Sequence, residues 1–300
     1  VNKERIGERT AYITFMAPYA QIDSIWMRGV PREKLITQFN LEQDSLEIWV
    51  NDQKPQPDTL HLNVNYMKTD SLGVLNSFTE EIKLPKPKSA MVAKTAKRDI
   101  KKEDTTAVFT IEAKPENVEQ YGFVMEFKYP VVETAFDSLG FRFLNPRQQE
   151  SKGEYSVTQD SLNLRKYIVR PKAKLLPGYE YFLKVPHRKF KDINGFYNDS
   201  TEVKVSLPND DKLSTLLINM TNVDNKYIVD LLNEKRDKVL RSYIIEDDTI
   251  LPFPYLKTGK YSIRITEDVN RNGIVDTGIL LEKKQPEKVR FYKLEDGTFL

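Results

Sequence analysis

Leu60, Leu62, Val64 and Tyr66 alternate with His61, Asn63 and Asn65. That period of two belongs to a strand with one face in a core and the other in water. Ile13 and Phe15 repeat it against Tyr12 and Thr14, and so do Leu46, Ile48 and Val50. Further strand-like runs fall at 108–111, 123–127, 164–169, 179–185 and 203–207. Long capped stretches of 3.6-residue period are missing, and Gly, Pro, Asn and Asp clusters punctuate the runs at the spacing of sandwiches. One helical turn is expected over 114–121, with Pro115 suited to a first helical position. The expected fold class is all-β, with serial β-sandwich domains.

An immunoglobulin-sized sandwich takes about 100 residues, so a chain of 300 calls for two or three. Residues 85–104 are rich in Lys and Pro and poor in apolar side chains, which reads as a linker. A basic run also suits an anionic surface, but solvated linker is the weightier reading. A second boundary falls at 207–211, where Pro208, Asn209, Asp210 and Asp211 separate two strands. The expected layout is a sandwich over 1–86, a linker over 87–103, and sandwiches over 104–208 and 212–300.

The 46 basic and 44 acidic side chains leave a net charge of +2, so no global field favours nucleic acid. No apolar run approaches the roughly 20 residues of a membrane span. Cysteine is absent, which excludes disulfides, thiolate metal sites and a cysteine nucleophile without fixing the compartment. His61 and His187 are the two histidines, too few for a His-rich metal centre. The chain starts at Val1, as a processed or truncated piece would, with any targeting signal upstream.

The run Gly259-x-Tyr261-x-Ile263-x-Ile265, then Asp268-x-Asn270-x-Asn272-Gly273-x-x-Asp276-Thr277-Gly278, resembles the prealbumin-like or carboxypeptidase-regulatory β-sandwich. The middle unit resembles bacterial Ig-like domains of the S-layer type. Its matching residues are Phe123 to Phe127, Leu176-Pro177-Gly178-Tyr179-x-Tyr181 and Phe190-x-Asp192-x-x-Gly195. The first unit looks like the same assembly through residues 12–18 and 58–73. Together they resemble the C-terminal part of Ig-like-domain lipoproteins exported by Gram-negative bacteria. That resemblance implies a surface or adhesion protein without established chemistry, with an upstream lipid-anchored cysteine and a further Ig-like unit.

Asp268, Asn270, Asn272, the Ile274 carbonyl and Asp276 occupy positions 1, 3, 5, 7 and 9 of an EF-hand-like spacing, with Gly273 at the sharp turn. Calcium takes six to eight oxygen ligands, and such a loop supplies several. The twelfth position is Ile279, so the bidentate carboxylate is missing and affinity should be weak, about 10⁻⁴–10⁻³ M. The competing reading is structural, and it outweighs the ion. Asn272-Gly273 is a type I′ hairpin signal, and Asp268 and Asn270 can bond local backbone amides without a metal. The Asp192 to Asp199 segment repeats the pattern more weakly and reads as a turn around Asn194-Gly195.

No Gly-x-Ser-x-Gly elbow or phosphate-binding glycine loop occurs, and neither histidine has a triad context. The pairs Asp210-Asp211 and Asp247-Asp248 are sequence neighbours and do not define a glycosidase site. An enzyme is not expected. Trp49 lies out of phase with Leu46, Ile48 and Val50, so its ring should leave their core. It is then either covered by the neighbouring module, the weightier reading, or exposed as a binding platform. The leading expectation is a non-enzymatic, exported structural or adhesion-type protein at the cell surface or in the periplasm. Its partners would be an unidentified protein or glycan, with membrane contact only through an upstream lipid anchor. The alternative is a carbohydrate- or peptide-binding accessory module centred on Trp49. No cofactor is expected beyond weakly held calcium.

Overall fold

The computed structural model describes residues 2–87, 106–209, 213–278, 283 and 285–292. The chain is all-β, and among the described residues every strand pairing is antiparallel. The span 88–105, most of the expected linker, and residues 210–212 of the second boundary lie outside the described residues, as does Ile279.

Seven strands form the first unit: β1 (Asn2–Arg5), β2 (Thr10–Thr14), β3 (Ile22–Met27), β4 (Leu35–Phe39), β5 (Ser45–Val50), β6 (Thr59–Thr69) and β7 (Leu75–Pro85). A four-stranded sheet of order β1-β2-β5-β4 faces a three-stranded sheet of order β3-β6-β7. Alternation decides what lies between them. Ile13, Leu46, Ile48, Leu60, Leu62, Val64, Ile82 and Leu84 make one buried cluster, while His61 on the opposite face of β6 sits 2.8 Å from the Glu81 carboxylate.

Arg5 closes the seam of this sandwich. It is 3% exposed, and its guanidinium donates to the carbonyls of Gly7, Glu8, Pro57, Asp58 and Leu84. A buried cation is tolerated when its N–H groups are satisfied, and here three separate segments supply the acceptors.

Ten strands follow in the second unit: β8 (Phe109–Glu112), β9 (Phe123–Phe127), β10 (Val131–Thr134), β11 (Gly140–Leu144), β12 (Glu150–Lys152), β13 (Tyr155–Gln159), β14 (Lys166–Pro171), β15 (Glu180–Val185), β16 (Phe190–Asp192) and β17 (Thr201–Ser206). Sheets of order β13-β14-β9-β8 and β12-β11-β15-β17 enclose an aromatic core, with a small β10-β16 sheet beside them. Phe127 packs on Phe109, Tyr167 and Phe190 with ring centroids 5.1–5.9 Å apart, the range in which aromatic pairs stabilise beyond their buried area.

The expected helical turn is present but shorter. Helix α1 spans Val118–Tyr121, and Pro115 precedes it. The first-position reading of Pro115 is therefore corrected: a turn through Lys114–Asn117 comes first, and the chain enters the helix from Asn117.

The third unit contains β18 (Ser214–Met220), β19 (Tyr227–Asn233), β20 (Val239–Ile245), β21 (Thr249–Leu256), β22 (Tyr261–Glu267) and β23 (Val289–Phe291). Its four-stranded sheet has the order β20-β19-β22-β23, and β18 pairs with β21. Val229, Leu231, Phe253 and Ile263 lie at the centre. On β19, Asp230 stands opposite Arg264 of β22. The guanidinium bonds the buried carboxylate through Nε and Nη2 at 2.9 and 2.6 Å, which keeps the charge paired. Among the described residues no helix is long and apolar enough to cross a membrane.

Candidate functional site

The oxygen-rich loop begins where β22 ends. Asp268 is fully buried, and its carboxylate accepts from the backbone N–H groups of Asn272 and Gly273 at 3.0 and 2.7 Å. Lys226 Nζ lies 3.9 Å from the same carboxylate and donates to the Arg271 carbonyl. Across the loop, Asp276 accepts from the amide groups of Asn270 and Asn272 and from the Tyr19 hydroxyl, the last at 2.8 Å. Ile274 takes part through its N–H, which donates to the Asn272 side chain at 2.8 Å.

Glu287 was not visible as a loop member, because it stands eleven positions after Asp276 with no spacing to mark it. It bridges the two ends, accepting from the N–H groups of Val269 and Asp276, each at 3.0 Å. Tyr19 is held neutral to high pH: the hydrogen bond to Asp276, then burial, pushes its pKa up to about 12.

These bonds engage the loop's own oxygens. Asn270 and Asn272 turn their amide nitrogens toward Asp276, whereas a cation would take their oxygens. Asp268 has both oxygens engaged by backbone amides. Among the described residues no group of three acidic or imidazole side chains is arranged to hold a metal. The arrangement fits a self-bonded turn better than a calcium cage.

The turn is also not the expected hairpin. Type I′ geometry needs positive φ at both central residues, but the left-handed residues are Arg271 and Gly273, not Asn272. The return strand is β23, paired Arg264 to Phe291, so a long excursion separates the two strands. The weaker relative at Asp192 behaves as a turn. Its carboxylate, 3% exposed, accepts from Asn194 and Phe196 N–H at 2.8 and 3.1 Å. Burial raises the Asp192 pKa, and those backbone bonds oppose the rise.

Trp49 offers no platform. It is 1% exposed, and Arg165 of the second unit lies over its ring, 5.5 Å from the centroid, while bonding Glu47 at 3.2 Å. The lesser reading, an exposed binding ring, is thereby corrected, and the weightier one matches: a residue of the neighbouring module lies over the face that points away from the core. His187 lies 3.5 Å from Asp199, with both side chains exposed.

The remaining polar convergence lies at the joints between units. Gln38 Oε1 accepts from Leu164 N–H at 3.1 Å, and Gln53 donates to the Ile193 carbonyl at 2.9 Å. Gly195, at φ +87°, admits Gln53 so closely that a Cβ would sit 2.6 Å from its oxygen. Between the second and third units, the Tyr121 hydroxyl donates to Ser242 O at 2.9 Å and accepts from Ser242 N–H at 3.1 Å. No protein-family model matches the chain, and no curated protein matches it either.

Proposed function

We propose that this chain is a non-enzymatic structural and adhesion-type part of an exported protein, held at the cell surface or in the periplasm. In this reading its serial sandwiches are Ig-like modules ending in a prealbumin-like unit, and the membrane is reached through a lipid anchor outside these 300 residues. The observation that supports it is the construction of the joints. Each unit docks on its neighbour through directed contacts, Arg165 on Glu47 and Trp49, Gln53 on Ile193, and Tyr121 on Ser242. Such contacts fix loops and faces in relation to one another, as a presenting array requires.

The carbohydrate- or peptide-binding alternative rested on an exposed Trp49, and its burial removes that support. The test is cellular. The protein, expressed from its whole gene, should be labelled on intact cells by a membrane-impermeant amine reagent, or stay with the membranes after osmotic shock and be cut by protease added to spheroplasts. Recovery with cytoplasmic markers alone would contradict the proposal.

A further inference from the structure

The joint between the second and third units contains two buried polar atoms without hydrogen-bond partners, one a donor and one an acceptor. Arg241 stands on β20, the edge strand of its sheet, opposite Leu231 and therefore on the core-facing side. It is 3% exposed, and its Nη2 is buried with no hydrogen-bond partner. Burial depresses the pKa of this guanidinium, while Tyr243, Glu116, Tyr121 and Glu119 oppose the shift. Neither Glu116 nor Glu119 bonds Nη2; a buried N–H left unpaired is unfavourable, and a carboxylate is the partner that matches the planar fork.

Gln120, in α1, supplies the second atom. Its Nε2 donates to Ser242 O at 2.8 Å, which fixes the orientation of the amide. Its Oε1 is therefore the atom left buried and unpaired.

Both residues border the same space. A cavity of about 490 Å³ is lined by Gln120 and Arg241, and an adjoining one of about 630 Å³ shares Arg241 and Glu116 with it. These are the dimensions of small-molecule sites. Around the two cavities stand Lys114, Lys174, Lys238, Lys257 and Arg241 against Glu112, Glu116 and Glu119, an excess of positive charge. Pro115, Tyr255 and Tyr261 add ring surface to the larger cavity.

We propose that this cleft binds a small hydroxylated carboxylate of the sugar-acid class, with Arg241 holding the carboxylate and Gln120 accepting from a hydroxyl. An anion that only accepts hydrogen bonds would face the Gln120 oxygen unfavourably, which disfavours acetate, and phosphate is too small to reach the ring surfaces while its oxygens hold Arg241. A neutral sugar could accept from Arg241 but would bring no charge to it and no second oxygen in the plane of its fork. The ring surfaces and the volume fit a body larger than a simple amino acid.

The probes are D-galacturonate, its uncharged counterpart D-galactose, acetate, L-alanine and inorganic phosphate, titrated calorimetrically into the 300-residue chain at constant ionic strength. D-galacturonate should bind with Kd near or below about 1 mM, and each of the others at least about tenfold more weakly. Arg241→Met should weaken D-galacturonate at least about tenfold without lowering the melting temperature, since an apolar side chain replaces a buried unpaired charge. Arg241→Lys, which keeps the charge but not the fork, should weaken it less; this variant carries the test if the methionine variant misfolds. Gln120→Leu should weaken D-galacturonate and leave acetate unchanged. The proposal is overturned if D-galacturonate binds no better than D-galactose, if phosphate or L-alanine binds more tightly, or if folded Arg241 variants bind as the parent does.

Discussion

Arg5 shows how much one side chain carries where a small sandwich closes. Its guanidinium serves five carbonyls from three segments; Arg5→Met leaves these acceptors unpaired in a buried place. Hydrogen bonds to charged groups contribute about 1.5–3 kcal/mol each and are not additive, so a loss of about 3 kcal/mol is expected. Both tryptophans, Trp26 and Trp49, belong to the first unit, so urea denaturation followed by tryptophan emission reads that unit alone. Tyr19 gives a pH prediction. Its folded pKa is raised to about 12, chiefly by Asp276, above the ordinary value of about 10. The folded form keeps its proton where the unfolded form loses it. The stability it contributes is complete below pH 10 and is lost as pH rises through 12. Tyr19→Phe should remove that part of the alkaline decline, measured as the difference between the two melting-temperature profiles from pH 9 to 12; parallel profiles would contradict the assignment. At this scale the sequence was only half legible. Alternation turned Trp49 out of its own core, yet the Arg165 that covers it lies far along the chain, and no local pattern announces such a contact.

Single elements were read more securely, for a physical reason. β6 and β9 need only alternate side chains between core and water, and their neighbours impose nothing that contradicts this. The Asp268 loop is harder to read, because the same residues at the same spacing serve a cation or the backbone. What favours the self-bonded turn, the amide orientation of Asn270 and Asn272 and the arrival of Glu287, depends on three-dimensional closure. The α1 boundary slipped because the turn at Lys114–Asn117 uses the residues that a helix start would use. Asp268→Ala removes the acceptor for two backbone amides inside the fold and should destabilise the third unit by about 2–3 kcal/mol. Circular dichroism during chemical denaturation measures this. Calcium at millimolar concentration should leave the melting temperature of the parent protein unmoved, and a rise of several degrees that Asp268→Ala abolishes would reassign the loop as an ion site.

Across the whole molecule, the all-β class and the series of cores follow from alternation, whereas the docking of units does not. The contacts that join them are Gln and Tyr side chains meeting backbone and Arg165 meeting Glu47 and Trp49, residue types that look like ordinary surface in a linear reading. Their individual contributions are modest, with a cation over an aromatic ring adding about 0.5–1 kcal/mol at an exposed site and about 2 when desolvated, and Trp49 is buried. Arg165→Ala should therefore lower the stability of the first unit by about 1–2 kcal/mol. It should nonetheless open Trp49 to acrylamide, so that quenching rises from the half-exposed Trp26 alone to both indoles.

The docked array itself is tested most directly by amide hydrogen exchange at Leu164 and Ser242, whose N–H groups donate to Gln38 and to Tyr121 across the two joints. Exchange at both should be slowed as in a paired strand, with protection lost at Leu164 in Gln38→Ala and at Ser242 in Tyr121→Phe. Exchange at the rate of an open loop at both positions in the parent protein would mean that the units move independently, and the presenting array would have to be abandoned.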